Sequence, residues 1–487
     1  VPLHVSYAAL GAGVVVGGRR RALRSWQDPA TGARPLNESG AALCAALAAV
    51  RARGIRQVVL LGDYTDDGQV ATTAGLAAIL HDQAARHGLR FHAIPGNHDV
   101  WGPHGKHVST RLATGPATTA LVTSDPALAA EPGAVFSPGM RCAGQPEGLA
   151  PMAAFGLFRQ PWHLHWESPF GASDRPGDRT YLAQSDDGSV TQTLFDASYL
   201  VEPEAGLWLL LLDANVFRPR NGIADPRRKR AFHDPSTAGW NAVLTQKPHL
   251  WTWIADVHDR AAAQGKRLLV FSHYPAADPF DDDGSERALF GDSDVAQRTP
   301  CPEVAQRLAA AGVRRHFGGH IHAHAVTRAG GLTNVAVPST CAFPPGFVIA
   351  AGDGAETVSL ASVPRDRDLM AFYRAAGAEG PMAEAPDLGS FLWHQIRART
   401  LAHHLPRLFP AGLPDLPDAA GRIADWYAIR QGGSLARAHV DAQAMAAWRG
   451  LLAGADPAGD PADATGRRRR FLAMADRAIR RMQDQAT

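Results

Sequence analysis

The sequence predicts an α/β fold, a layered core in which strands and helices alternate along the chain. Three observations carry that expectation. Short apolar runs such as QVVLL, LWLLLL and LLVF recur, each bounded by turn residues. Helix-period segments closing on glycine lie between several of them. Clusters of Asp, Asn, His and Gly follow directly on four of the runs, where open α/β sheets build their sites.

In order, "LHVSYAALG" (3–11) reads as a first buried strand, 42–54 as a helix ending at Gly54, and 56–63 as a strand. A helix over 72–88 precedes the strand and loop of 90–99. The strongly apolar 207–215 is a strand; 248–265 a helix; 266–275 a strand; 303–312 a helix; 313–324 a strand and loop. Strands at 333–340 and 346–354 close the pattern. Residues 103 to about 195, rich in Gly, Pro and aromatics with little periodicity, read as a long insertion over one sheet face. From 364 to 487 the chain turns to Ala, Arg, Leu and Asp at helical spacing, interrupted at the Pro-rich 409–421, so a domain over 1–363 and a C-terminal helical region are expected.

The 487 residues suffice for two or three domains, and 45% hydrophobic with 20% charged residues is ordinary for a globular protein. A net charge of +2 implies no obligatory nucleic-acid or anionic-membrane partner. The four scattered cysteines do not make a zinc knuckle or a disulfide framework. No apolar run reaches bilayer length, and Arg19, Arg20 and Arg21 follow the first apolar stretch, where a secretory signal has its arginines before it. A cytoplasmic location is expected.

The chemistry sits in four clusters. In "GDYTDDG" (62–68), Gly62 allows a tight exit that aims Asp63 at the crevice, with Asp66 and Asp67 behind; an acidic turn would look the same. In "GNHD" (96–99), Asn97 offers an amide oxygen, His98 an imidazole acid and Asp99 an orienting carboxylate. In "FSHYP" (271–275), His273 ends an apolar strand. In "GGHIHAH" (318–324), His320 and His322 are two apart, which on an extended chain points both the same way; two facing imidazoles are costly unless a cation lies between them.

The order, strand context and spacing of the four clusters resemble the calcineurin-like metallophosphoesterase superfamily, whose pattern runs D-x-H, GD-x-x-D/N, GNH-D/E, a strand-end H and GH-x-H. The likeness spans roughly residues 3 to 355 and matches the last four motifs. It implies a four-layer α/β/β/α sandwich carrying one or two divalent cations, Mn, Fe or Zn, consistent with hard oxygen donors plus imidazole and no thiolate. By the same resemblance Asp63 bridges two cations; Asn97, His273 and His320 complete the ligand set of the second cation; His322 binds the first cation; and His98, held by a carboxylate such as Asp99, assists the leaving group.

The first motif departs from the pattern. Where the family has S-D-x-H-L, this chain reads Ser6-Tyr7-Ala8-Ala9-Leu10, so both first-cation ligands on that strand are replaced. Ala9 cannot bind metal. Tyr7 either packs in the core or ligates as a phenolate, and Asp66 is the other residue placed to complete the shell, directly or through a water. Three further features have plain readings: "RRKR" (227–230) as a solvated charge run, 466–483 as an amphipathic helix docked on its own domain, and His104 and His107 as exposed or supporting side chains.

The expectation is a metal-dependent phosphoric ester hydrolase acting on a small phosphoester, a diester in preference to a monoester, with a weakened first metal site. A binding or scaffold protein that keeps the fold but not the catalysis is the alternative.

Overall fold

The computed structural model describes residues 13–28, 32, 36–228, 230–280, 297–352 and 354–404. The first predicted strand with Tyr7 and Ala9, and the predicted helices beyond 404 including 466–483, lie outside the described residues.

The fold is mixed α/β. The described residues begin with a small antiparallel hairpin, β1 (Val14–Val16) and β2 (Arg19–Arg21), then helix α1 (Ser39–Ala52), β3 (Gln57–Leu60), α2 (Val70–His87) and β4 (Arg90–Ala93). β3 and β4 pair in parallel. The other major strands are β5 (His165–Glu167), β6 (Tyr199–Glu204), β7 (Leu207–Leu212), β8 (Arg267–Ser272), β9 (Arg315–Gly318), β10 (Ala325–Ala329) and β11 (Leu332–Ala336). They form one seven-stranded sheet in the order β10-β11-β9-β8-β7-β6-β5. β7, β8, β9 and β11 run parallel, while β10, β6 and β5 add antiparallel pairings at the two sides. Helices α3 (Gly239–Gln246) and α4 (His249–Ala263) cross over between β7 and β8, and α5 (Pro302–Ala310) between β8 and β9.

Why the centre is a parallel sheet follows from β7. Its LWLLLL run is apolar on both faces, as a strand covered on both sides must be. Alternation then divides it. Trp208, Leu210 and Leu212 join a core with Val243, Leu250, Ile254, Val257, Val304 and Leu308 of α3, α4 and α5. Leu209 and Leu211 join a second core with Phe271, Phe317, Phe91 of β4, Leu43 and Leu47 of α1 and Leu76 and Leu80 of α2. The Tyr199 hydroxyl donates to the Ala93 carbonyl at 3.0 Å, tying β6 to β4.

The long insertion is more ordered than its composition suggests. It carries a three-stranded sheet (Ser109–Ala113, Thr119–Thr123, Val135–Phe136) and a hairpin (Thr180–Gln184, Thr191–Phe195), and contributes β5 to the edge of the main sheet. Its strands are short and half-exposed, so they show little apolar periodicity. After the antiparallel pair β12 (Gly346–Ala351) and β13 (Gly354–Ser359) come α6 (Arg367–Ala375), α7 (Pro381–Glu384) and α8 (Leu388–Arg399). Asp366 caps α6 and Asp387 caps α8 through side-chain acceptors. Leu369, Phe372 and Tyr373 of α6 pack on Val16 and Leu23 beside the first hairpin. No helix among the described residues is long and apolar enough to cross a membrane.

Candidate metal centre

The four motifs meet because each follows the C-terminal end of a parallel strand: Asp63 follows β3, Asn97 follows β4, His273 follows β8 and His320 follows β9. Two of the turns nest. Gly62 has φ +86°, and a Cβ there would lie 2.6 Å from the Gly96 nitrogen. A Cβ on Gly96 would lie 2.6 Å from the Asp63 nitrogen and 2.8 Å from the His273 ring. Only glycine at both positions lets these backbones approach. Asp63, His320 and His322 all take left-handed conformations, with φ of 50°, 66° and 57°. Each costs about 1–3 kcal/mol for a residue with a Cβ, and such strain gathers at functional sites.

The donor atoms are buried and converge. Single ligand atoms of Asp63, His273 and His320 lie within 4.8 Å of one another. His273 Nε2 stands 3.2 Å from Asn97 Oδ1, 3.2 Å from His320 Nδ1 and 3.4 Å from Asp63 Oδ2. The far ring nitrogens fix which atoms are lone pairs. His273 Nδ1 donates to the Leu61 carbonyl at 2.7 Å, and His320 Nε2 donates to the Ser236 carbonyl at 3.0 Å. In the neutral rings, His273 Nε2 and His320 Nδ1 are therefore acceptors, facing an amide oxygen and a carboxylate oxygen with no proton between them. Four lone pairs directed at one buried point require a positive charge. A divalent cation fits this set of two oxygens and two imidazoles. The two rings are shifted in opposite directions. Burial, then the neighbouring His273, holds His320 well below the ordinary histidine range. Burial also opposes charge on His273, but the Asp63 carboxylate outweighs it, and that ring is pushed up.

The remaining groups brace these four. Asp63 Oδ1 accepts from the His98 amide at 2.9 Å, which leaves Oδ2 for His273. His98 is half-buried, and its Nδ1 donates to the Asp66 carbonyl. The expectation that Asp99 orients His98 is corrected here. The Asp99 carboxylate instead accepts from the Gly96 amide at 2.8 Å and from the Thr65 amide and hydroxyl at 2.9 and 2.7 Å, clasping the two turns together. Burial and the nearby Asp63 push Asp99 up to about 6, against those hydrogen bonds. Asp66 turns its carboxylate to Arg24, 3.2 Å away. His322 is half-buried on the His320 loop and stands outside the tight donor cluster. His104 and His107 are exposed, as are Arg227, Arg228 and Arg230 of the basic run. Tyr7 lies outside the described residues.

Several contributors were not singled out in the sequence. Asn215, two residues past Asp213, donates to the Gly96 carbonyl at 3.1 Å; its only signal is its place after the β7 run. Tyr274 donates to the Pro235 carbonyl at 2.7 Å, and its ring lies 4.4 Å from that of His320. Ser236 acts through its backbone carbonyl, which any residue would supply.

No protein-family model matches the chain, and no curated protein is detectably similar to it. Among solved structures it is similar to a dimetal phosphatase from Danio rerio, with 15% sequence identity, a TM-score of 0.35, and alignment over 67% of this chain and 90% of that chain.

Proposed function

We propose that this chain is a metal-dependent phosphoesterase, acting on a small phosphodiester in preference to a monoester. The observation that carries the reading is the convergence of Asp63 Oδ2, Asn97 Oδ1, His273 Nε2 and His320 Nδ1 on one buried point, with the outer nitrogens of both rings committed to backbone carbonyls. These four residues would hold a divalent cation, which would supply charge neutralisation at a phosphoryl group and an acidified water. The packing of α3–α5 on one face of the main sheet, and of the β3–β4 pair with α1 and α2 on the other, is consistent with a four-layer α/β/β/α domain over residues 1–363. A cytoplasmic location goes with this reading.

His98 would deliver a proton to the leaving group. Its Nδ1 is engaged by the Asp66 carbonyl, so proton transfer would run through Nε2, which carries a proton only when the ring is charged. Asp99 positions His98 indirectly, by joining the Gly96 and Thr65 turns. Asp63 and His322 would contribute to a weaker first site, with Asp66 and Tyr7 as further donors if they turn toward it. The substitutions at Tyr7 and Ala9 favour a second reading, a phosphoesterase fold retained for binding alone.

The test joins elemental analysis of the purified chain with hydrolysis of bis(p-nitrophenyl) phosphate on the same sample. One metal per chain with turnover, lost in His98→Ala, supports an enzyme that works from the Asp63/Asn97/His273/His320 site. Two metals would mean the first site is also filled. No bound metal and no turnover, after Mn or Zn is supplied, would establish the binding-protein reading.

A further inference from the structure

Arg24 belongs to no motif, yet it stands between the C-terminal helices and the candidate centre. Its Nη2 pairs with Asp66 Oδ2 at 3.2 Å, and its Nη1 lies 3.4 Å from Asp28 Oδ2. Both charged side chains of the Arg24–Asp66 pair are only 18% exposed, so water screens them little. The backbone of Arg24 is pinned on both sides by one side chain. Its amide donates to Asn37 Oδ1 at 2.8 Å, and its carbonyl accepts from Asn37 Nδ2 at 3.0 Å.

From Asn37 the chain of contacts enters the helical unit. Asn37 Nδ2 donates to the Tyr373 hydroxyl at 2.9 Å, and that hydroxyl donates to Glu38 Oε1 at 3.2 Å. Glu38 pairs with Arg365 at 3.3 Å, and Arg365 donates to the Ala383 and Ala385 carbonyls, each at 3.1 Å. Glu38, Arg365 and Tyr373 are all buried. At the other end, Asp66 presents its carboxylate to Arg24 and its carbonyl to His98 Nδ1. One residue thus faces both ways, and rotating its backbone would move the acceptor that orients the His98 ring.

We propose that Arg24 is a positioning residue for the His98 loop, and that through it the helical unit of residues 367–399 sets the geometry of the candidate centre. A polar chain that is buried at Glu38, Arg365 and Tyr373 and half-buried at Arg24, Asn37 and Asp66, with each residue bonded to the next, restricts the arrangements open to it, which suits a positioning role. The kinetic consequence rests on the phosphoesterase reading, while the structural coupling does not.

The test uses the full chain loaded with Mn²⁺, as wild type and as Arg24→Gln, Arg24→Ala and Tyr373→Phe. Arg86→Gln serves as control, because Arg86 pairs with Asp82 on an exposed helix face. Three quantities are read: bound Mn²⁺, amide exchange in 62–69 and 96–101, and kcat and KM for bis(p-nitrophenyl) phosphate. Arg24→Gln should keep its Mn²⁺ and KM, lose about 10²-fold in kcat from misplacement of His98, and exchange faster by about tenfold in both loops. Tyr373→Phe should change in the same direction. Guanidinium added to Arg24→Ala should restore kcat without raising its melting temperature. Unchanged exchange in both loops in Arg24→Gln and Tyr373→Phe would overturn the proposal. So would a kcat loss matched by Arg86→Gln. If the wild type hydrolyses no phosphoester, the catalytic reading fails, and the exchange comparison still decides the coupling.

Discussion

His273 and His320 are each oriented by a backbone carbonyl, through Leu61 and Ser236 respectively, so their ring positions depend on where strands and loops run rather than on neighbouring side chains. Removing the His320 ring deletes one donor and leaves the Ser236 carbonyl without it. Loss of a supporting partner alone commonly costs 10–100-fold in metal affinity, so His320→Ala should weaken Mn²⁺ binding by at least about 100-fold, measured by titration against a competing chelator. Retained affinity would mean that the cation is held elsewhere. Gly96→Ala tests the nesting of the turns. Its Cβ would meet the Asp63 nitrogen at 2.6 Å, a backbone atom that cannot swing aside. Forcing the turns apart should cost about 1–3 kcal/mol of stability, seen in denaturant unfolding, and should lower metal affinity in the same variant. At this scale Asp63, Asn97, His98, His273 and His320 were legible because their residue types are distinctive and each ends a strand. Ser236 was not, because a carbonyl contact leaves no trace in residue identity. Arg24 was not, because its partner Asp66 is 42 residues away and the pair shows only once the chain is folded.

At the scale of elements, the ends of strands matter more than their middles. β7 ends at Leu212, and the next residue, Asp213, is fully buried with Asp196 and Lys247. Lys247, in the link between α3 and α4, reaches Asp213 Oδ2 at 3.0 Å and Asp196 Oδ2 at 3.5 Å. Burial opposes its charge, but the two carboxylates hold its ammonium well above the ordinary lysine range. Asp213 in turn accepts from the Asn215 amide at 3.0 Å, and Asn215 holds the Gly96 carbonyl. The buried charges therefore stand behind the turn that carries Asn97 and His98. Lys247→Met keeps the length of the side chain, leaves the Asp213 carboxylate without its ammonium, and leaves Asp196 without Lys247 but still paired with His249. The expected loss is about 3–5 kcal/mol, and Lys247→Met with Asp196→Asn and Asp213→Asn should recover part of it. A single variant as stable as wild type, in urea unfolding at pH 7, would show that the cluster adds nothing to the fold. The apolar run of β7 announced itself in the sequence through its composition. The strands of the insertion did not, because they are short and half-covered, and neither apolar runs nor clean alternation survive there.

At the scale of the whole molecule, the layers were readable from alternation of element types, whereas the contact between the first hairpin and α6 was not, since it joins segments some 350 residues apart through Val16, Leu23 and Phe372. Interiors assembled this way also bury histidines that bind nothing, and these set the response to acid. His92 of β4 is fully buried; its Nε2 donates to Gln57 Oε1 at 3.0 Å, while its Nδ1 has no hydrogen-bond partner. Burial first, then the charges of His163 and Arg90, push its pKa down to about 3. The sign follows from linkage. Below the ordinary value near 6.5 the unfolded chain takes up a proton that the folded chain refuses, so stability falls as pH falls from 6.5 toward 3. The slope for one such group is about 1.4 kcal/mol per pH unit, or about 2 kcal/mol between pH 7 and pH 5. His92→Gln has no proton to refuse. The difference in unfolding free energy between wild type and His92→Gln should therefore shrink by about 2 kcal/mol as the pH is lowered from 7 to 5, measured by urea unfolding at both values. An equal difference at the two pH values would mean that His92 is protonated inside the fold, and that water or a carboxylate reaches Nδ1 from a direction the packing around β4 does not show.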